Sequence, residues 1–285
     1  MRRRVIGVMA VVAAFALIAA ACNKTTTTTT GGGSPSAPTT SSAPAITTLT
    51  PGVLSVGSCL DYKPFESVPP GGEPTGFDVE LTEAIAAKLG LQVEWVKAGF
   101  GTIFSAVAAN KFDMVAAAST ITAKRDKTVD FSDPYFDADQ ALTVNTTKTP
   151  DITSADDLGS GDVVGVQSGT TGEMYAIENL KPNGVDIKSF PEIPQAFTDL
   201  EAGNVQGVIN DAPSSSAEIK TRPGLEVVQT FPTGEHYGFA FAPTNPGLRE
   251  AVNAALQEII ADGTYEQIFM KYLPGIPVPP AYQAA

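Results

Sequence analysis

Residues 76–96 read GFDVELTEAIAAKLGLQVEWV, and the fold follows from how this stretch is parsed. Phe77, Leu81, Ile85 and Leu89 recur every four positions as one apolar helix stripe, and Gly90 follows at once as its stop. Leu91 to Val96 then reads as a strand, and Val53 to Cys59 supplies another before the helix. The unit is βαβ, the seed of a largely parallel sheet. Outward from it the alternation continues. A helix from Thr102 to Ala109 presents Ile103, Phe104 and Val107 on one side, Met114 to Ala117 is a strand, and Thr122 to Lys127 a short polar helix. Further strands are expected at Val163–Val166, Asp186–Phe190, Gly207–Asn210, Leu225–Gln229 and Tyr237–Ala242. Helices are expected at 171–178, 193–202, 213–220, 245–261 and 263–272. Pro274, Pro277, Pro279 and Pro280 predict an extended tail over 275–285. A long first unit, a separate middle unit and a return at the end predict two α/β lobes joined by two crossing segments. Lobe 1 is expected from 51–143 and 237–274, and lobe 2 from 144–236.

Arg2, Arg3 and Arg4 precede an uncharged run from Val5 to Ala21 that is short and alanine-rich for a membrane span, and small residues lead into Cys22. Residues 1–21 therefore read as an export signal. A signal ending at cysteine resembles the lipobox of bacterial lipoproteins, which implies lipidation of Cys22. Ala19 stands where that motif prefers leucine, and simple cleavage or an uncleaved anchor are the alternatives. Residues 22–50, with six consecutive threonines from Thr25 to Thr30, are too poor in apolar side chains to fold and read as a tether.

Across 285 residues, 31 acidic side chains face 18 basic ones, a formal charge of −13. Loss of Arg2, Arg3 and Arg4 with the signal brings it to −16. Such a surface offers nothing to a phosphate backbone, so nucleic acid is excluded as a partner. Two cysteines and one histidine, His236, cannot build a structural zinc site. Neither a metal nor a cofactor is expected.

The residues also resemble a known family. Pro64-Phe65, the run Gly76 to Leu81, Thr120-Ile121-Thr122-Ala123-Lys124-Arg125, Phe131 to Phe136, Val164 to Thr171 and Asp262-Gly263-Thr264-Tyr265 look like the motifs of extracellular solute-binding proteins of family 3. These are the polar amino-acid receptors of ABC importers, and the motifs run in the family's order over nearly all of 52–273. The resemblance implies a periplasmic-binding-protein-like fold, two α/β lobes with a hinge and a ligand cleft between them. It implies Tyr62 and Phe100 as apolar walls, Ala118 and Thr120 as small-residue and backbone contacts, and Arg125 on the ligand's α-carboxylate. It further implies that Thr170 and Thr171 face that carboxylate from the second lobe and that Asp211 takes the α-ammonium.

The residue types can perform those roles, and each has a plainer reading. Arg125 offers a planar fork for a carboxylate, about 1.5–3 kcal/mol in a closed cleft, though an arginine in a polar KRDK stretch is ordinarily a solvated helix face. Thr170 and Thr171 stand where a strand turns through Gly169 into a helix, where they could cap as well as bind. Asp211 ends an apolar strand, where open α/β sheets place ligands, and could instead cap the helix beginning near Pro213. Phe100 could be a core aromatic. Cys59 stands where relatives that bind basic or amide side chains carry aspartate, which points to a polar or uncharged side chain in the ligand, with Asp61 as a substitute carboxylate. As a free thiol, Cys59 reads as a small apolar residue.

The function expected is a non-enzymatic receptor that captures a free amino acid and delivers it to an importer permease, as an extracytoplasmic monomer held to the membrane only by its lipid. Two alternatives stand beside it. One is an enzyme resembling cyclohexadienyl dehydratases on the same fold, with Glu173 or Asp61 as candidate acid, and the other is a ligand-sensing domain.

Overall fold

The computed structural model describes residues 46–284. The expected signal peptide, Cys22 and most of the tether lie outside them. Among the described residues no helix is long and apolar enough to cross a membrane.

The first unit runs β1 (Val53–Ser58), β2 (Asp61–Tyr62), β3 (Glu66–Ser67), α1 (Phe77–Leu89), β4 (Gln92–Lys97), α2 (Phe100–Ala108), β5 (Met114–Val115) and β6 (Asp130–Phe131). The second runs β7 (Phe136–Asn145), β8 (Val163–Gln167), α3 (Thr171–Asn179), β9 (Asp186–Phe190), α4 (Ile193–Ala202), β10 (Gly207–Asp211), α5 (Ala212–Ile219) and β11 (Leu225–Tyr237). The chain returns through β12 (Ala240–Phe241), α6 (Pro246–Ala261) and α7 (Thr264–Tyr272).

Two five-stranded sheets result, ordered β4-β1-β5-β12-β6 and β11-β7-β10-β8-β9. In each, three parallel strands share one plan: the first strand in sequence lies between the second and the third. That order creates a topological switch point, between β1 and β5 in one sheet and between β8 and β10 in the other. Ligands of open α/β sheets sit outside the carboxyl ends of strands at such points. Helix α1 buries Phe77, Leu81 and Ile85, as its stripe predicts, and Gly90 ends it in the left-handed conformation at φ 69°.

The sheets are joined where two short segments cross side by side. Ser132 N–H donates to the Phe239 carbonyl (2.8 Å) and Tyr135 N–H to the Tyr237 carbonyl (2.9 Å). Around this crossing Phe65, Phe77, Phe136 and Tyr237 pack edge-on and stacked, with ring centroids 5.0–6.2 Å apart.

Several expectations change, and the strand expected over Tyr237–Ala242 is split between the end of β11 and β12 (Ala240–Phe241). Strand β7 was not anticipated, and it pairs along its length with β10 and β11, so membership of the second sheet begins at Phe136 and does not wait for the expected boundary at 143/144. The predicted Leu225–Gln229 strand extends to Tyr237, because after a bulge near Phe231 it resumes pairing with β7 up to Phe136. The tail is not wholly extended. Pro280–Tyr282 forms a 3₁₀ turn, since Tyr282 finds a buried place against Tyr265, 5.3 Å between centroids.

Candidate functional site

The sequence-predicted residues Tyr62, Phe100, Ala118, Thr120, Arg125, Thr170, Thr171 and Asp211 all line one cavity, together with Cys59, Glu66, Ala117 and Gln167. They arrive from the switch points. Cys59 and Tyr62 follow β1, Ala117 to Arg125 follow β5, Gln167 to Thr171 end β8 and open α3, and Asp211 ends β10. Phe100 follows β4 as the first residue of α2, where it both belongs to a buried apolar cluster with Ile103 and Val107 and faces the cavity.

Arg125 lies in a 3₁₀ turn, Arg125–Lys127, where a longer polar helix was predicted. Its guanidinium stacks on Phe100 and Phe104, with its carbon 5.1 and 4.6 Å from the ring centroids. Nη1 donates to the Thr120 carbonyl (2.6 Å), and Nη2 reaches across to the Gly169 carbonyl (3.1 Å). Burial lowers its pKa to about 10, still a cation at neutral pH. This is a fixed fork between two aromatic faces, unlike a solvated helix residue.

Asp211 is buried, and its side chain makes no helix cap. The carboxylate accepts from Tyr62 Oη (2.8 Å), Gln140 Nε2 (2.5 Å) and the Tyr237 hydroxyl. Burial, and then the charge of Glu235, push its pKa up to about 6 even against those three donors. One cation and one anion therefore face a common space.

The threonines divide their roles. Thr170 is the N-cap of α3: its hydroxyl accepts from Glu173 N–H (3.1 Å) and donates to the Gln167 carbonyl (2.7 Å). The Thr120 and Thr171 hydroxyls both reach Glu235 Oε2, at 2.7 Å each. The Ala118 backbone is left-handed at φ 44°, and its N–H is given to Asp78 Oδ2 (2.8 Å), so only its carbonyl and methyl remain for other contacts.

Sequence reasoning missed Glu66, Gln140, Glu235 and Tyr237. Glu66 is fully buried, lines the cavity, and neither carboxylate oxygen has a hydrogen-bond partner. Burial first, then the charges of Asp78, Asp61 and Asp211, push its pKa well above the usual carboxylate range. The signal for it was present: Tyr62 and Glu66 are direct partners across the β2–β3 hairpin, so a hairpin reading of DYKPFES would have put both on one face. Asp61, the other strand partner, faces away from this cavity. Glu173 is also turned elsewhere, accepting from Gly169 N–H (2.8 Å) and the Ser189 hydroxyl. Among the described residues no group of acidic, histidine or cysteine side chains is placed to hold a metal ion.

The chain is similar to several known proteins. The probable histidine-binding protein of Neisseria gonorrhoeae is 33% identical over 237 residues, covering 81% of this chain and 86% of its own. An ancestral arginine-binding protein solved with arginine bound superposes with a TM-score of 0.74 at 40% identity, covering 78% of this chain and 98% of its own. An ancestral amino acid-binding protein described as a precursor of cyclohexadienyl dehydratase gives 0.73 at 37% identity, covering 78% and 95%. The family profile for bacterial extracellular solute-binding proteins, family 3, matches residues 54–275, and with the bilobed fold and the cleft at paired switch points, the chain belongs to that family.

Proposed function

We propose that this protein captures a free amino acid between its lobes and presents it to an ABC importer, held outside the cytoplasm as a monomer by a lipid on Cys22. The carrying observation is that Arg125 and Asp211 face one cavity from opposite sheets. A zwitterion matches such a pair: its carboxylate takes the free N–H groups of the Arg125 fork, and its ammonium takes Asp211. Tyr62 and Phe100 wall the side chain, while Thr120 and Thr171 bound the carboxylate end. A micromolar complex needs about −8 kcal/mol, within reach of two charge-assisted contacts and a buried side chain.

The side chain we infer is basic. The expectation of an uncharged one rested on Cys59, and Glu66 supplies the carboxyl that Cys59 lacks, which burial holds against ionisation until a ligand cation stands beside it. Relatives that bind histidine and arginine support the same reading. Differential scanning of the purified protein against the twenty amino acids tests it: basic ligands raise the melting temperature, and Arg125→Ala removes every response. A retained response in that variant contradicts the assignment.

An enzyme is the second reading, favoured by the likeness to the dehydratase precursor. Dehydration needs a general acid, and Glu66, whose carboxyl burial pushes well above the usual carboxylate range, is a cavity group that could serve as one. Turnover of a carbocyclic acid without stabilisation by any amino acid supports the enzyme. Stabilisation without turnover supports the receptor.

A further inference from the structure

A second chamber adjoins the ligand cavity. Cys59, Phe100 and Gln167 line both. Asp61 and Lys97 enter this chamber from the first sheet's side, and Glu192 from the turn before α4 on the second's. Lys97 Nζ stands 3.8 Å from Asp61 Oδ2 and 3.4 Å from Glu192 Oε1. Two carboxylates from opposite lobes thus share one ammonium.

The sharing is unequal. The Lys97 side chain is 61% exposed, while that of Asp61 is only 17% exposed. Asp61 Oδ1 is buried with no hydrogen-bond partner. Burial, and then Glu192, push the Asp61 pKa up to about 6, so a single solvated lysine leaves the inner carboxylate undercompensated. The boundary between the chambers also has charged neighbours: the Cys59 thiol stands among Glu66, Asp61, Lys97 and Glu192. Cys59 is small and uncharged, so at that point the boundary between the chambers carries neither bulk nor charge of its own.

We propose that the second chamber is a subsite for the cationic end of a long ligand side chain, held by Asp61 and Glu192, and that the Lys97 ammonium occupies the place the ligand's cation takes. The subsite rests on the amino-acid receptor reading above and adds a length criterion to it. Glu66 attracts any basic side chain. The outer pair distinguishes those whose cation passes Cys59, such as arginine and homoarginine, from histidine, whose ring stays in the first cavity.

Calorimetric titration of the whole protein with arginine, homoarginine and histidine tests this, on the natural chain, Lys97→Ala and Glu192→Gln. Removing the resident cation should tighten arginine and homoarginine about threefold or more, and Glu192→Gln should weaken both about tenfold, with histidine unchanged in each. Both side chains are substantially exposed, and matching melting temperatures of the unliganded variants confirm their folding. The proposal is overturned if Lys97→Ala weakens arginine, since the lysine is then only a clasp between lobes, or if all three ligands shift alike. Binding of histidine with rejection of both longer ligands by the natural chain overturns the subsite alone, whereas binding of no amino acid overturns the receptor reading beneath it.

Discussion

Asp211 has two opposed effects on the molecule, and pH separates them. Its carboxyl, like that of fully buried Asp78, has a folded pKa of about 6 against an ordinary 3.8, burial being the main cause in both. Between pH 4 and 6 the folded chain therefore holds protons that the unfolded chain has released, so these groups make unliganded stability fall as pH rises through that window. The loss is at most about 3 kcal/mol per carboxyl. Ligand affinity runs the other way, because an ammonium needs Asp211 ionised, and should rise from pH 5 to 7. Melting curves without ligand and titrations with arginine at pH 5 and pH 7 check the two signs, and Asp211→Asn should make the stability slope shallower by the Asp211 share, leaving that of Asp78, while removing binding. Glu66→Gln applies the same reasoning where no partner exists. It should raise the unliganded melting temperature, because a buried unpaired carboxyl is removed, and weaken basic ligands about tenfold or more. A parallel loss of affinity for uncharged ligands would assign Glu66 to cavity shape and not to charge.

The elements that carry these residues were legible to different degrees, for physical reasons. Helix α1, with its four-residue stripe and glycine stop, announces itself because burial on one face imposes period, and strands β1 and β8 do so because both faces are covered. The β2–β3 hairpin, two residues on each arm, is too short for any period to register, and Glu66 went unseen with it. Its hold on the fold is instead a matter of backbone. Ser67 and Thr75 exchange N–H to carbonyl bonds at 2.8 Å each, and Gly76 then turns into α1 at φ 143°. A Cβ on Gly76 would lie 2.1 Å from the Phe65 carbonyl oxygen, an overlap that no side-chain movement relieves. Gly76→Ala should cost about 3 kcal/mol or more and displace Tyr62 and Glu66 together, measured as a lower denaturation midpoint with weakened ligand binding. Thr170→Ala is the milder contrast: loss of the α3 cap should cost about 1 kcal/mol, with modest effect on affinity.

At the scale of the whole molecule, alternation in the sequence revealed two α/β units but could not show where one sheet stops and the other begins. Strand β7 reads as a mixed run, FDADQALTVN, because its first half crosses the hinge and its second is covered by neighbours. What joins the units is also invisible in local pattern. Phe65 and Phe77 from the first unit, Phe136 and Tyr237 from the crossing, and Phe190, Phe197 and Val208 from the second belong to one buried cluster. Apolar contact that continuous couples the lobes: unfolding either one exposes the aromatic faces of the other, which raises the free energy of any half-folded state. Calorimetry of the unliganded protein should therefore show one transition, with calorimetric and van't Hoff enthalpies equal. Saturating arginine should move that transition upward as a whole if Arg125 and Asp211 hold the ligand from opposite sides, as proposed. Two resolved transitions, only one of them shifted by ligand, would mean that the hinge cluster does not couple the lobes and that the ligand rests on a single sheet.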